Sequence, residues 1–565
     1  MSEGSRSRTQ ARRAPAWLIA LRHGLRKRIF AASFYRHTLR AKARTGLSRP
    51  THDPWRGDAA RANALFQGRY RFAGSEVQLF NRPPWTAEAP STEWLLEAAA
   101  FTWLRDFRAE GGAAARDAAR ELVATWIETF GEWHPLIWRA DVLGRRLMAW
   151  TSHADFLLED AEPVFRRGFL ISLERQARHL LRAVSLAPEG SGRLAALIGA
   201  LLASAALGGL GRRARVATND LEDELREQIL PDGCHISRGP SEQMSVLRDL
   251  VWLRAGLSAA NAPVPLAVHS AIERMAAMLT FLRHGDGALA LFHGSIEEDR
   301  AIVAETLALA GPPRAERTIP RAMPQVVAPS PDAAPFGGYE RMTAAHTMAL
   351  FDCGPPPPDP FGATGHAGTL AFELSVGRER MIVNCGHRAG EHWRIASRAT
   401  AAHSTVVVGD TNSTGVLPDG LGPRPHVTVR RHNDDGNVWI DAEHDGYARG
   451  FGLKHRRRVY LAAAGDTFRG EDALEGARGD GTAFVVRFHL HPDVQASLLP
   501  DGALLRLANG DGWRFRAGGA NIALEESVYL GQIGELRRTE QIVLSGTTTP
   551  EGATIKWAFG RIEVA

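Results

Sequence analysis

The period of the apolar residues changes once along this chain, and that change constrains the fold more than any other feature. From about Glu93 to Arg283 apolar residues recur at spacings of three and four, as in EWLLEAAAFTWLRDF, ARDAARELVATWIETF, RADVLGRRLMAWTSHADFLL, PVFRRGFLISLERQARHLLRAV and RLAALIGALLASAALGGLG. This is the spacing of amphipathic helices. Gly111-Gly112, Gly131, Pro163 and Pro188-Glu189-Gly190 punctuate the run as helix ends do. Further helices are predicted around ATNDLEDELREQIL, around SEQMSVLRDLVWLRAGL and from Val264 to His284. Serial helix hairpins of this kind build bundles, solenoids or α/α toroids. From about residue 346 the pattern becomes alternating, in TLAFELSV, RERMIVNC, STVVVG, NVWIDAEH, KHRRRVYLA, TAFVVRFHLH and GWRFRAG. Turn residues separate these runs at the spacing of a β-sandwich. Pro312, Pro313, Pro320, Pro324, Pro329, Pro331 and Pro335 mark the stretch between the two patterns as a linker or wrapping segment.

Charge divides the chain differently. Residues 1–50 hold 13 Lys/Arg and one acid, Glu3, so they carry +12 of a formal total of +5 and leave the remainder at −7. An acidic body argues against nucleic-acid binding. The basic arm interleaves Trp17, Leu18, Leu21, Leu25, Ile29 and Phe30 with Arg and Lys. It reads either as an interfacial helix in peripheral contact with an anionic membrane or polyanionic glycan, or as a helix packed on the body with its charges in water. No apolar run reaches the roughly 18–20 residues that cross a bilayer, and Arg22 interrupts WLIAL, so a secretory signal is not clear. Cys234, Cys353 and Cys385 are too few and too scattered for a disulfide framework.

Several motifs occur in a recognisable order: LPDGCHISRGPSEQMSVLRDLVWLR in the helical half, then GHAGTLAFELSVG, RATAAHSTVVV and VRFHLHPDV in the β half. Together they resemble the heparinase II/III family of polysaccharide lyases over nearly the whole chain beyond about residue 55. The resemblance implies an α+β multidomain fold, an N-terminal incomplete α/α toroid followed by a C-terminal antiparallel β-sandwich, with a substrate cleft between them. The corresponding division is a basic arm at 1–50, the toroid at 51–310, a proline-rich linker at 311–336 and the sandwich at 337–565. It further implies β-elimination on an acidic, uronate-containing polysaccharide. A positive group neutralises the carboxylate, a base takes the C5 proton, and an acid protonates the departing O4. The sequence departs from the family pattern at three places. Ser241-Glu242-Gln243 stands where a Tyr-His pair is usual, Gly192-Arg193 where an Asn-His pair is frequent, and Thr364 where many members carry the first His of a His-x-His motif. Two functions are therefore carried forward: a lyase, and a non-catalytic glycan-binding or envelope-assembly protein on the same fold. The resemblance implies an envelope or periplasmic location, with the cytoplasm left open by the unclear signal.

The residue types nominate three groups. His235 and Arg238 lie in a loop just before a helix, with Glu242 at the helix start; His235 would act as base and Arg238 would hold a uronate carboxylate bidentately. If so, alanine at either His235 or Arg238 would abolish turnover without lowering the melting temperature. Glu242 has the alternative role of a helix cap. Trp138, Arg139 and Arg145 on the toroid helices are candidate sugar contacts, with core packing as the alternative for the tryptophan. The third group sits at strand ends: His366, Asn384-Cys385 and His403. Some family members hold a structural zinc at the matching His, Asp and His positions. Because Asn is a poor zinc ligand and a thiolate a good one, the expected set is His366, Cys385 and His403; a hydrogen-bonded cluster without metal is the alternative. His489 and His491 read as packing and rim residues, and Arg456-Arg457-Arg458 as a solvated strand edge.

Overall fold

The computed structural model describes residues 16–41, 44–80, 82–208, 211–311, 332–388, 390–476 and 480–562. Residues 312–331 of the proline-rich segment, Gly209-Leu210, and the side chains of Trp17 and Leu18 lie outside that description. The described residues divide into two compact units. One runs to Pro188 and takes in Gly192–Leu221 and Ala255–Pro263; the other comprises Glu189–Ser191, Glu222–Arg254 and everything from Val264 onward. The division thus falls inside the helical run, not at the proline-rich segment.

The first unit is built on the helices Thr92–Ala100, Leu104–Glu110, Gly112–Phe130, Ala140–Ser152, Pro163–Ala183 and Ser191–Leu207. Ser91 caps the first of these by accepting from the Trp94 N–H. The apolar faces predicted from spacing are the buried ones: Ala119, Val123 and Trp126 on one helix, and Leu143, Leu147 and Trp150 on the next, are fully buried. Trp126 and Trp150 meet edge-to-face with centroids 5.5 Å apart. Arg146 is buried among them. Its guanidinium lies 4.1 Å from the Trp126 ring and donates to Gln176 Oε1 at 2.6 Å and to the Ala99 carbonyl at 2.8 Å. Helices Ala140–Ser152 and Ser191–Leu207 cross in backbone contact. A Cβ on Gly144 would lie 2.3 Å from the Ala195 oxygen, and one on Gly199 would lie 2.2 Å from the Gly144 oxygen, so only glycine allows this approach. No helix among the described residues is long and apolar enough to span a membrane.

The second unit is a sandwich of two antiparallel sheets with helices packed on it. In the nine-stranded sheet the order is Asn521–Tyr529, Arg537–Thr547, Ala483–Leu490, Glu379–Val383, Phe372–Val376, Thr347–Asp352, Tyr339–Ala344 and Ala333–Ala334, with Val406–Val408 paired beside Ala483–Leu490. The eight-stranded sheet runs Val427–Asp434, Asn437–His444, Lys454–Leu461, Thr467–Glu475, Ala553–Arg561, Gly512–Gly518, Gly502–Arg506 and Gln495–Leu499. Alternation along each strand sends one set of side chains into a shared core that includes Phe372, Leu374, Ile440, Val459, Phe468, Phe488 and Trp557. A second apolar cluster explains why the helical residues after Glu222 belong here: Cys234, Met278, Phe281, Leu282 and Phe292 pack with Ala334, Tyr339, Met348 and Leu350.

Lys454–Leu461 corrects one expectation. The strand lies inside the sheet rather than at its edge, and the pleat turns Arg457 inward, where its guanidinium meets Asp472 and the carbonyls of Leu370 and Ser404. Arg456 and Arg458 face outward, as expected.

Candidate functional site

The loop between residues 228 and 240 is held by its own polar side chains. Buried Asp232 accepts the N–H of Cys234 at 3.2 Å with one oxygen, and those of Phe336 and Gly337 at 2.9 and 2.7 Å with the other. Gln243, on the helix Pro240–Ala259, accepts the His235 N–H at 2.7 Å and donates to the carbonyls of Gly233 and Met275. These contacts place His235 and Arg238 in the interior.

His235 is 1% exposed. Its Nδ1 accepts the Ser237 N–H at 3.2 Å and lies 2.7 Å from the Ser237 hydroxyl, so the proton sits on Nε2, which donates to Gln228 Oε1 at 3.1 Å. Burial lowers its pKa and keeps the ring neutral. Both ring nitrogens are engaged within the protein.

Arg238 adopts φ of +60° at the end of the same loop. A guanidinium has five N–H groups, and every one of them has an internal acceptor. Nε donates to the Gly337 carbonyl at 2.6 Å; Nη1 to the carbonyls of Pro355 and Gly354 at 2.8 and 3.2 Å; Nη2 to Asp352 and to the Gly338 carbonyl at 3.1 Å. The plane rests on Tyr339 at 4.7 Å, and the Tyr339 hydroxyl donates back to the Arg238 carbonyl. Cβ atoms at Gly338 and Gly354 would stand 3.2 and 2.8 Å from Nη2, so glycines shape this pocket around the fork. The carboxylate partner completes a triad. His293 Nδ1 accepts the His366 N–H at 3.2 Å, which leaves its proton on Nε2 to meet Asp352 Oδ2 at 3.0 Å. Burial would raise the Asp352 carboxyl, but Arg238 and His293 outweigh it and hold the group at about 2. Sequence reasoning found Arg238 and missed Asp352, His293 and Tyr339. Glu242 is half-buried in the first turn of its helix, and Ser241 beside it accepts the Ile296 N–H at 3.2 Å.

The strand-end group forms a separate arrangement. His366 Nδ1 and His403 Nε2 are 3.1 Å apart, both rings are 1% exposed, and His366 Nε2 and His403 Nδ1 have no hydrogen-bond partner. Gly368 lets the His403 ring approach, since a Cβ there would lie 3.0 Å from it. Cys385 does not join them. Its sulfur lies 3.6 Å from His489 Nδ1, and burial pushes the thiol up to about 12. Asn384 uses both ends of its amide, donating to Glu373 Oε1 and accepting the Ser404 N–H, each at 3.0 Å. Among the described residues no group of three or more His, Cys, Asp or Glu side chains is arranged to hold a metal ion. The Cys385 sulfur faces His489 rather than the His366–His403 pair, so the three side chains expected to hold zinc are not gathered around one point in this arrangement.

In the first unit Trp138 is a core residue, 2% exposed, with its indole N–H donated to the Phe130 carbonyl at 2.8 Å and its ring against His179. Arg139 forms a bidentate pair with Asp141, and Arg145 is half-buried. His489 fills the packing role read from the sequence: Nε2 donates to the Ala401 carbonyl at 3.0 Å and Nδ1 faces the Ser527 hydroxyl at 2.8 Å.

Comparison with known proteins places this geometry. Residues 327–558 match the family model described as heparinase II/III-like, C-terminal. The chain is also 33% identical over 545 residues to FtsZ-localized protein C of Caulobacter vibrioides, covering 92% of this chain and 91% of that protein. The chain belongs to the heparinase II/III-like family. Its fold matches solved lyases of that family at much lower identity. A crystal structure of heparinase III aligns with a TM-score of 0.72 at 14% identity, over 97% of this chain and 92% of that one. The heparan sulfate lyase HepC from Pedobacter heparinus aligns at 0.59 and 13%, over 95% and 88%. These likenesses establish the toroid-and-sandwich architecture. The heparinase-like DGxHxxRxP segment is present, with its histidine and arginine spent on internal bonds.

Proposed function

We propose that this protein is a non-catalytic member of the heparinase II/III-like family that serves as a binding and assembly protein localised with FtsZ. One observation carries the first half: all five N–H groups of Arg238 are used inside the protein. β-Elimination needs a free positive group for the uronate carboxylate and a base near neutrality for the C5 proton. Arg238 has no donor left to offer, His235 is buried and neutral with both nitrogens bonded, and Ser241-Glu242-Gln243 stands where the family usually has a Tyr-His pair. The second half rests on the relative at 33% identity, which is named for its localisation to FtsZ, against 13–14% for the lyases. Incubation with a panel of uronate-rich glycans should give no rise in the ultraviolet absorbance of an unsaturated uronate, while the protein co-sediments with polymerised FtsZ. A glycan-dependent rise that disappears in His235→Ala would restore the lyase reading.

The N-terminal helix supports a peripheral membrane contact. On Ala16–Ala31, Leu21, Leu25 and Ile29 are exposed at 62%, 59% and 41%, and their spacing of four puts them on one face, flanked by Arg28 on one side and Arg26 on the other. The purified chain should float with vesicles containing anionic lipid, and Leu21→Glu with Leu25→Glu should leave it at the bottom of the gradient. Equal flotation of both proteins would remove this contact from the proposal.

A further inference from the structure

The outward face of the eight-stranded sheet carries a recess of about 770 Å3 that is lined by none of the residues of the Arg238 and His366 groups. Strand register builds it from two adjacent rows of side chains. In the first, Trp439 stands opposite Tyr460, Tyr460 opposite Arg469, Arg469 opposite Ala558, and Ala558 opposite Arg516. The Trp439 and Tyr460 rings are 4.8 Å apart, and the Arg469 guanidinium lies 4.4 Å from the Tyr460 ring. Ala558 is small, so the row dips between the two arginines. In the second row Asp441, Arg458, Glu471, Lys556 and Gly518 follow one another across the same strands. Here the carboxylates are already matched: Asp441 pairs with Arg456, and Glu471 with Arg458 and, at 3.9 Å, with Lys556. Arg516 is 62% exposed and reaches Asp501 only at 3.6 Å, and Lys556 is 76% exposed. The surface thus offers an aromatic platform flanked by Arg469, Arg516 and Lys556, on a chain whose residues beyond the first fifty carry −7.

This chemistry selects the occupant. Lys454–Leu461, Thr467–Glu475 and Ala553–Arg561 each have a hydrogen-bonded neighbour on both sides, so their main chains are spent on the sheet and strand addition is closed. Recognition must come from side chains. The ring faces favour an apolar group, and the exposed cations favour carboxylates at a few discrete points. The exposed cations stand at separate points, with the paired carboxylates Asp441 and Glu471 between them, which suits a peptide that alternates acidic and apolar residues better than a uniformly charged glycan. From Trp439 to Arg516 the first row crosses four inter-strand spacings, on the order of 19 Å, the reach of about six extended residues.

We propose that this recess docks an extended acidic segment of a partner protein, which lays an apolar side chain on Trp439 and Tyr460 and sets carboxylates against Arg469, Arg516 and Lys556. The proposal rests on the binding-and-assembly reading above and gives that reading a surface. The test uses the full chain and a fluorescein-labelled synthetic peptide of about eight residues that alternates Glu with Leu, with a Lys–Leu peptide and polygalacturonate as comparators. Anisotropy should report saturable binding of the acidic peptide that weakens as salt rises. The double substitution Arg469→Glu with Arg516→Glu should weaken it by roughly tenfold or more, with an unchanged melting temperature because both side chains are exposed. Trp439→Ala should weaken it at constant charge. Absent binding, binding equal in the charge-reversed protein, or polygalacturonate binding in preference to the peptide would each overturn the proposal. Wild-type protein that sediments with FtsZ yet ignores the peptide would sink the groove alone; peptide binding without sedimentation would sink the FtsZ reading alone.

Discussion

Arg238→Ala is expected to destabilise the sandwich unit by about 3–5 kcal/mol, the cost of removing one partner from a buried ion pair. This reverses the expectation from sequence alone, in which the arginine faces a ligand and can be removed without loss of stability. The difference lies in Asp352. It is 1% exposed and held ionised at about 2 by Arg238 and His293, so removing the guanidinium leaves an anion without its main counter-charge in the interior. The carbonyls of Gly337, Gly338, Gly354 and Pro355 lose their donors at the same time. Arg238→Lys should recover only part of the loss, because an ammonium can pair with Asp352 but cannot reach four carbonyls in one plane. Adding Asp352→Asn to Arg238→Ala should cost less than the sum of the two single changes, since the uncompensated charge is gone. Chemical denaturation of the four proteins measures this directly. An Arg238→Ala protein as stable as wild type would mean that the fork is not needed for folding and would return it to the list of groups available to a ligand.

The same pair shows what the sequence could and could not reveal. The two periods predicted the helices, the strands and the sandwich, because burial of one face is a local property of spacing. The partners of a buried charge are not local. Asp352 is 114 residues from Arg238 and His293 is 55 away, and neither carries a pattern that marks it. Arg457 misled for a related reason: its inward position follows from alternation with His455 and Val459, but three successive arginines read as a solvated edge until Asp472 is placed across the ladder. The hairpin Arg69–Phe72 with Ser75–Gln78 went unseen because its turn is Ala73-Gly74, both at positive φ, rather than the Asn-Gly that announces such turns. For the expected zinc set, Asn384 and Cys385 follow the end of the strand Glu379–Val383, where spacing no longer tells which way a side chain turns, and the thiol goes to His489. The groove on the outer sheet was invisible for the same reason as the Arg238 network, since Trp439, Tyr460, Arg469 and Arg516 meet only through strand register.

Mild acid should unfold this protein, with the melting temperature falling by roughly 10 °C between pH 7 and pH 5.5. The cause is a set of histidines that the fold keeps neutral. Burial lowers His179 and His403 to about 3 and His489 to about 4. His179 shows how: Nδ1 faces the Tyr35 hydroxyl at 2.8 Å, and the ring is enclosed by Phe30, Tyr35 and Trp138. In the unfolded chain each takes up a proton near pH 6.5. A folded pKa below the unfolded one means that the stabilising contribution is complete above about 6.5 and is lost as the pH falls toward 3–4. Each such group removes about 1.4 kcal/mol per pH unit within that window, so the three together remove about 4. Stability in small domains is on the order of 5–15 kcal/mol, so one pH unit takes a large share. The carboxylates act later and in the same direction. Asp352, Asp286 and Glu297 are held at about 2, so their contribution is present above the usual carboxylate range near 4 and disappears between there and about 2. The two sets therefore predict a loss that begins with histidine and ends with carboxylate protonation. Calorimetry across pH in buffers of different ionisation enthalpy measures the protons taken up on unfolding: about three or more at pH 5.5, and about one fewer in His179→Phe. A melting temperature that stays level from pH 7 to pH 5, or no proton uptake at pH 5.5, would show that these rings admit water and charge within the folded protein.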